Sequence, residues 1–262
     1  MTIPPVTLPL IAAQPGIWVA DALSQQPAAW SVAHYIELDG ALDAPLLAKA
    51  IVAGMSEADT LRMRFAEIDG EPRQWVDESI AFPLPECLDL RHHADPAEAA
   101  LALMRDDLRQ DLRRASGQLP WRHQLLRLSD TRWFWYQRYH HLLVDGFSFT
   151  AITRRITDIY RAWYQGQTPN GSPFTPFSDV VEEYQHYQAS AACARDRAFW
   201  AEQLTRLPEP ATLSDEPLTT REPSADLLRR HVAFDNAHLQ ALLARAPGVT
   251  PADIAFALLA LW

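Results

Sequence analysis

The order of hydrophobic and polar residues along the chain predicts strands and helices in alternation. Residues 33–39 alternate between two faces, which is typical of a strand. Over 44–55, apolar side chains recur three and four positions apart, and Asp43 before them can cap a helix. Two further alternating runs meet at Asp69-Gly70, a pair that favours the tight turn of a β-hairpin. The pattern therefore predicts a mixed α/β (α+β) fold.

Periodicity and helix caps give the remaining elements. They predict a short helix near Gly16–Leu23, a loop over 81–94, a helix from Pro96 to about Arg114 that Asp95 caps, strands over 121–128 and 132–140, helices over 148–164 and 178–205, a Pro-containing linker over 206–225, a strand near 227–234 and a last helix that opens at Thr250. The last helix runs apolar to Trp262 without a capping residue, so we expect the chain to be part of a longer protein.

Composition and charge argue against several classes of protein. With 48% hydrophobic and 21% charged residues among 262, the chain can bury a core and is not intrinsically disordered. Its formal net charge of −10 argues against nucleic acid or an anionic membrane as a main partner. Cys87 and Cys193 lie far apart, which predicts neither a disulfide framework nor a zinc site. This cysteine usage fits a reducing compartment, so we expect a cytoplasmic protein.

The densest group of chemistry-bearing residues lies where the strand over 132–140 gives way to the helix over 148–164. It comprises His140, His141, Asp145, Gly146 and Ser148. An imidazole accepts a proton near neutral pH, a glycine allows close backbone approach, and the N–H groups at a helix start favour developing negative charge. This combination favours acyl transfer. The alternative is a pair of core histidines followed by a capping aspartate, and the pattern alone does not separate the two.

The adjacent histidines also raise the question of a metal site. Neighbouring residues on a strand point to opposite faces, so His140 and His141 rarely reach one ion. No third His or Cys lies at a spacing typical of zinc. The sequence therefore disfavours a metal site.

The order of several motifs resembles that of one enzyme family. His140-His141-x-x-x-Asp145-Gly146-x-Ser148 resembles the HHxxxDGxS signature of the condensation domains of nonribosomal peptide synthetases, which are chloramphenicol-acetyltransferase-like acyltransferases. Four further motifs are Ala13-Gln14-Pro15-Gly16-Ile17-Trp18, similar to AQxxxW; Leu61-Arg62-Met63-Arg64-Phe65, similar to LRxxF; residues 177–184, similar to YxDxxxW; and Thr250-Pro251-Ala252-Asp253, similar to the start of a central helix. Phe177 replaces the family's tyrosine, and residues 56–59 replace its Arg-His-Glu run.

The resemblance implies a chloramphenicol-acetyltransferase-like sandwich of mixed sheets with flanking helices. Residues 1–205 would form a complete N-terminal lobe, 206–225 a linker, and 226–262 the start of a truncated C-terminal lobe. Because the family's active-site tunnel runs between two lobes, we expect this chain to be inactive alone.

The resemblance also implies amide-bond formation. A donor acyl thioester and an aminoacyl thioester acceptor would arrive on the 4′-phosphopantetheine arms of an aryl or acyl carrier protein and of a downstream peptidyl carrier domain. The chain itself would bind no cofactor, and adenylation, carrier and thioesterase domains would follow in the full-length protein. The stretches YHHLLVDGFSF and FTPFSDVVEEY are closer still to one siderophore synthetase of the family, which implies 2,3-dihydroxybenzoyl as donor and L-serine as acceptor.

The same resemblance assigns roles to the catalytic candidates. His141 is the candidate base or amine-positioning group, and the Gly146 N–H is the candidate oxyanion donor. His140 and Asp145 would mainly hold the loop. Asp145 would pair with an arginine, which lies either in the part of the family's domain beyond Trp262 or within this chain, where Arg62 is a structural candidate.

Three other residues are candidate substrate contacts. Ser148 would bind the pantetheine arm by analogy, or cap a helix. Trp133 and Trp135 would line a channel for an aryl group, or pack in the core.

Two other functional classes stay open. One is a free-standing acyltransferase that uses coenzyme A. The last helix that runs to Trp262 without a cap, and the motifs found in addition to HHxxxDG, disfavour this class. The other is a carrier-protein docking module without catalysis, which the intact HHxxxDG motif disfavours.

Overall fold

The structure is a computed structural model that describes residues 6–24, 29–112, 119–207, 235–246 and 248–254. The chain divides into two compact units, Met1–Thr212 and Leu213–Trp262. The first unit contains two β-sheets, six α-helices and a 3₁₀-helix, Asp59–Arg62, among its described residues. The described part of the second unit is helical.

The first unit alternates strands and helices. Its strands are β1 (Leu8–Pro9), β2 (Ser31–Asp39), β3 (Met63–Ile68), β4 (Glu71–Val76), β5 (Glu86–Asp89), β6 (Trp121–Arg127) and β7 (Arg132–His140). Its helices are α1 (Gln14–Leu23), α2 (Ala44–Ser56), α3 (Pro96–Leu108), α4 (Ser148–Tyr164), α5 (Phe177–Gln188) and α6 (Ala191–Leu204). The second unit has α7 (Asn236–Arg245) and a helical turn over 251–254.

The strands form two sheets. The larger sheet has the order β2-β7-β6-β5, with parallel pairing between β5 and β6 and antiparallel pairing elsewhere. The smaller sheet has the order β1-β4-β3 and is antiparallel. Asp69 and Gly70, with φ angles of 54° and 81°, connect β3 to β4 in the left-handed conformation that a two-residue hairpin turn favours. The predicted hairpin is therefore confirmed.

Strand β7 lies inside the larger sheet and is buried on both faces. One face carries Trp133, Trp135 and Tyr139, which belong to a hydrophobic cluster with residues of α2 and α4. The other face carries Phe134 and Tyr136, which cluster with residues of α3. Because both faces are packed, the end of β7 is held firmly, and so is the start of the loop that follows it.

Helices α2 and α4 pack closely at Gly54. A Cβ atom at this position would lie 2.6 Å from Cγ1 and 3.2 Å from Cα of Ile156. A larger residue would therefore have to displace backbone as well as side chain. Glycine at this position lets α4 pack directly on α2.

Two predicted elements have different boundaries in the structure. The loop over 81–94 contains β5, an edge strand too short for an alternating pattern to be recognised. The helix predicted over 178–205 is two helices, α5 and α6. Ser190 separates them, because its hydroxyl accepts a hydrogen bond from the Cys193 N–H and caps the second helix.

The third difference is at the end of α3. Asp95 caps this helix as predicted, accepting hydrogen bonds from the N–H groups of Ala97 and Glu98. The helix ends at Leu108 rather than near Arg114, because the Gln110 N–H bonds the Asp107 carbonyl in a tighter turn. Residues 113–118, the strand predicted near 227–234 and most of the linker predicted over 206–225 lie outside the described residues.

The second unit shows two capped helix starts. The Asp235 carboxylate accepts a hydrogen bond from the His238 N–H, 2.8 Å away, at the start of α7. Thr250 and Asp253 bond reciprocally: the Thr250 N–H donates to the Asp253 carboxylate at 2.8 Å, and the Asp253 N–H donates to the Thr250 hydroxyl at 3.3 Å. This capping box confirms the predicted helix start at Thr250.

Candidate active site

His141 follows the last residue of β7 and is half-buried. Its backbone N–H donates to the Trp30 carbonyl at 2.8 Å, and its ring Nδ1 lies 2.8 Å from the Val144 carbonyl oxygen. A carbonyl oxygen only accepts hydrogen bonds, so Nδ1 carries the proton. In the neutral ring, Nε2 is therefore the basic nitrogen, and the loop itself fixes this tautomer.

The His140 ring lies in a different environment. It is 4% exposed, its Nδ1 accepts a hydrogen bond from the Leu142 N–H at 3.2 Å, and its Nε2 lies 3.6 Å from the Asp21 carboxylate. Asp21, on α1, is itself 3% exposed. Since Nδ1 accepts, the proton of the neutral ring sits on Nε2, facing Asp21. These contacts tie the His140 ring to the loop and to α1, and holding the loop stays the role predicted for this residue.

Asp145 and Ser148 form the start of α4. The Asp145 carboxylate accepts hydrogen bonds from the N–H groups of Phe147 and Ser148, at 3.0 and 2.8 Å, and from the Ser148 hydroxyl at 2.6 Å. The hydrogen bond from the Ser148 hydroxyl, and to a smaller extent those from the two N–H groups, hold the pKa of the Asp145 carboxyl below its usual range. Asp145 is thus an ionised group that orders the first turn of the helix. Ser148 takes part in the same cap, which fits the capping alternative raised for it.

Arg62 does not pair with Asp145. Its ion pairs among the described residues are with Asp59, 2.6 Å away, and with Glu78. Asp59 also accepts a hydrogen bond from the Phe177 N–H at the start of α5. Arg62 is therefore placed in a structural network beside the smaller sheet, and the predicted pairing is corrected on this point.

Gly146 lies in open space at the start of α4. A Cβ atom added there would meet nothing within 4 Å, and the Gly146 φ angle is not in the left-handed region. Among the described residues, nothing accepts a hydrogen bond from its N–H. The glycine is therefore not needed for backbone conformation, and it leaves room beside an N–H group that can bind an oxyanion.

Three residues that the sequence analysis did not assign hold the histidine loop from outside. Gln14 donates through Nε2 to the Leu142 carbonyl at 3.1 Å, and the side-chain amides of Gln14 and Gln74 bond each other at 2.9 Å. Asp21 faces His140, as described above. Gln14 belongs to the segment that resembles AQxxxW, which was the only sequence signal for any of them.

The structure places Trp133 and Trp135 in the core. They are 6% and 2% exposed, and the Trp135 indole N–H donates to His123 Nδ1 at 3.2 Å. Their packing in the cluster beneath α4 corresponds to the second alternative raised for them. The expected substrate-lining role of these two indoles is corrected, because neighbouring side chains already enclose both rings.

Both a metal-binding cluster and a membrane-spanning helix are absent from the described ranges. No group of three or more His, Cys, Asp or Glu side chains there is arranged to hold a metal ion. No described helix is both long and apolar enough to cross a membrane.

Comparison with known proteins agrees with this geometry. The sequence model of the condensation domain family matches residues 6–262. The chain belongs to the condensation domain family. Enzymes of this family form amide bonds in nonribosomal peptide synthesis. The mixed α/β fold predicted from the sequence is confirmed.

Relatives of this condensation domain chain include siderophore synthetases. The chain is 58% identical over 255 residues to enterobactin synthase component F of Escherichia coli K12, which covers 97% of the chain and 20% of that protein. It is 35% identical to vanchrobactin synthetase of Vibrio anguillarum over 79% of the chain and 7% of that protein. The chain thus spans about a fifth of the first of these relatives.

Solved structures show the same fold. The starter condensation domain of rhizomide synthetase superposes with a TM-score of 0.74 at 34% identity, covering 80% of this chain and 48% of that one. The first condensation domain of the calcium-dependent antibiotic synthetase gives a TM-score of 0.72 at 28% identity, covering 80% and 50% of the two chains. This chain therefore corresponds to about half of those solved chains.

Proposed function

We propose that this chain is the part of a condensation domain that carries its histidine motif, and that the whole domain joins a carrier-bound acyl group to an amine as an amide. The observation that supports this most directly is the state of His141. Its Nδ1–H is bonded to the Val144 carbonyl, its ring is half-buried, and Nε2 is left as the basic atom, five residues before Gly146, whose own surroundings are open.

The reaction follows from these groups. The acceptor's α-amine attacks the donor carbonyl, the C–N bond forms as the C–S bond of the thioester breaks, and the amine proton passes through His141 Nε2 to the leaving thiolate. The Gly146 N–H donates a hydrogen bond to the carbonyl oxygen as negative charge develops there. Each group acts only where charge appears in the transition state.

Positioning contributes more than proton transfer in this scheme. A free α-amine has a pKa of about 8, so a fair fraction is already neutral near pH 7. General-base help typically gives ~10²–10⁴-fold, whereas well-oriented reactants reach effective molarities of ~10⁵ M or more. His141 therefore acts as much by holding the amine as by accepting its proton.

The substrates form the finer part of the proposal. The relatives that align with most of this chain include enterobactin and vanchrobactin synthetases. We therefore propose 2,3-dihydroxybenzoyl as donor and L-serine as acceptor. Each would be delivered on the 4′-phosphopantetheine arm of a carrier protein or carrier domain, with adenylation, carrier and thioesterase domains in the same synthetase. We place this synthetase in the cytoplasm, and the free thiols of Cys87 and Cys193 support a reducing compartment.

The test is His141→Ala in the full-length synthetase. We expect amide formation to fall ~10²-fold or more, because base and positioning are lost together, while carrier loading stays normal. Product is measured by mass spectrometry with loaded donor and acceptor carriers. The matched control is His93→Ala. His93 follows another histidine, His92, in an exposed turn before α3, and its replacement should leave the rate unchanged.

The outcomes separate the candidate functions. A His141→Ala variant with the wild-type rate removes this residue from the mechanism. Efficient use of acyl-coenzyme A as donor by the wild type would favour a coenzyme A-dependent acyltransferase. Absence of any amide product from the wild type with loaded carriers would favour a docking module.

A further inference from the structure

A chain of buried hydrogen bonds runs beneath α4. The Trp135 indole N–H donates to His123 Nδ1 at 3.2 Å, and His123 Nε2 lies 2.8 Å from the Tyr139 hydroxyl. An indole nitrogen only donates, so His123 Nδ1 must accept and Nε2 must carry the proton. Burial lowers the pKa of His123 to about 3, which keeps this ring neutral. The direction of the following bonds is therefore fixed.

This series of hydrogen bonds ends at the side-chain amide of Gln137. The Tyr139 hydroxyl receives the His123 proton and so donates its own to Gln137 Oε1 at 2.9 Å, and the Thr153 hydroxyl donates to the same oxygen at 3.1 Å. Two donors on one atom identify it as the amide oxygen. Gln137 Nε2 thus points away from the Tyr139 and Thr153 hydroxyls that bond the amide oxygen. The residue is 0% exposed, and its Nε2 has no hydrogen-bond partner among the described residues.

A second unpartnered atom lies on the neighbouring strand. His34 of β2 pairs in register with Gln137 of β7, and its buried Nδ1 also has no hydrogen-bond partner in the part of the chain that the structure describes. The Phe149 ring lies over the His34 imidazole, with ring centroids 4.8 Å apart. Buried polar atoms without partners are costly, so a pair of them in adjacent positions points to a group that the structure does not contain. A hydroxyl fits both, because it accepts from the amide N–H and donates to the imidazole nitrogen.

Gln137 also lies near His141 in the chain. His141 is four positions after Gln137 and directly follows β7, so their Cα atoms are about 13 Å apart at the usual rise per residue of an extended chain. That separation is on the scale of one aromatic acyl group, so a single donor can reach both residues. The His34, Phe149 and Thr153 side chains around Gln137 are each half-buried.

We propose that Gln137 and His34 form the recognition site for a hydroxyl group of the donor acyl chain. This inference rests on the proposed amide-forming function and adds a basis for choosing a hydroxylated aryl donor. It also gives β2 and β7 a part in substrate selection, through Gln137 just before the histidine motif and His34 more than a hundred positions before it.

The test compares two donors in the full-length synthetase: carrier protein loaded with 2,3-dihydroxybenzoyl or with benzoyl. In the wild type we expect kcat/KM to favour the hydroxylated donor about tenfold or more, because the analogue leaves both buried groups unpaired. Gln137→Met removes the amide donor at similar length, and His34→Phe removes the ring nitrogens and keeps a ring against Phe149. Each should reduce the preference toward 1, mainly by slowing the hydroxylated donor.

Thr153→Val is the matched control. It removes one hydrogen bond to the same Gln137 oxygen and leaves Nε2 and His34 in place, so the donor preference should persist. A preference that survives in both Gln137→Met and His34→Phe would overturn the inference and leave an internal water as the occupant. A wild type that uses both donors equally would also overturn it, while the His141 test decides amide formation separately.

Discussion

His140 and His141 are neighbours in the chain, yet their rings bond in opposite ways to the backbone of the same loop. The His141 Nδ1–H donates to the Val144 carbonyl, while His140 Nδ1 accepts from the Leu142 N–H. Each ring is thereby held in one tautomer, with the His140 proton facing Asp21 and the His141 lone pair left on Nε2. We therefore expect Asp21 to act as a positioning residue through His140.

Asp21→Asn should lower the rate of amide formation by about tenfold or more. An amide can present its N–H to His140 Nε2, which would move the ring proton to Nδ1, where it meets the Leu142 N–H. The loop would then lose a hydrogen bond, at a cost of about 1–3 kcal/mol, and the Val144 carbonyl that orients His141 would shift. The measurement is kcat and its pH profile in the full-length synthetase, together with thermal stability.

Asp107→Asn is the control for this substitution. Asp107 is also a buried acid, 4% exposed, and it accepts a hydrogen bond from the Tyr136 hydroxyl at 2.8 Å on the α3 side of the sheet. We expect it to reduce stability and leave kcat and its pH profile unchanged. Equal effects of the two variants on kcat would refute a positioning role for Asp21.

Helices α2 and α4 illustrate how one small residue places an element of the site. Gly54→Ala should destabilise the chain by about 1–3 kcal/mol, since its Cβ would lie 2.6 Å from Ile156 Cγ1 and 3.2 Å from Ile156 Cα. Gly16→Ala, in the exposed part of α1, should be neutral or slightly stabilising, because nothing lies within 4 Å of its Cβ and alanine favours helix. Thermal unfolding of both variants checks the difference, and equal unfolding temperatures would contradict it.

The elements also show what local sequence can predict. Strand β7, α4 and the β3–β4 hairpin were predicted because each is specified by its own periodicity or turn residues. Strand β5 and the break at Ser190 were missed, because the first is only four residues long and the second needs one hydroxyl to bond in a particular way.

In the candidate site, too, the local features could be predicted from the sequence and the long-range contacts could not. The motif from His140 to Ser148 is contiguous and was recognised, and the capping bonds of Asp145 are local. The contacts of Asp21 and Gln14 with the loop join residues more than a hundred positions apart, and no pattern within either segment encodes them. The burial of Trp133 and Trp135 likewise depends on α2 and α4, which pack over them.

For the molecule as a whole, the decisive fact is that this chain corresponds to about half of the solved condensation domains and a fifth of its enterobactin synthase relative. It contains the proposed base and oxyanion donor, but about half of a condensation domain lies outside it.

We therefore expect the isolated chain, supplied with loaded donor and acceptor carriers, to form no amide above the level of its His141→Ala variant. Base catalysis alone is worth only ~10²–10⁴-fold, and the effective molarity of ~10⁵ M or more is lost when the two thioesters are not held together. Mass spectrometry of the carriers checks this, with the full-length synthetase as positive control. Turnover by the isolated chain within tenfold of that control would show that the described loop and sheet suffice to hold both substrates.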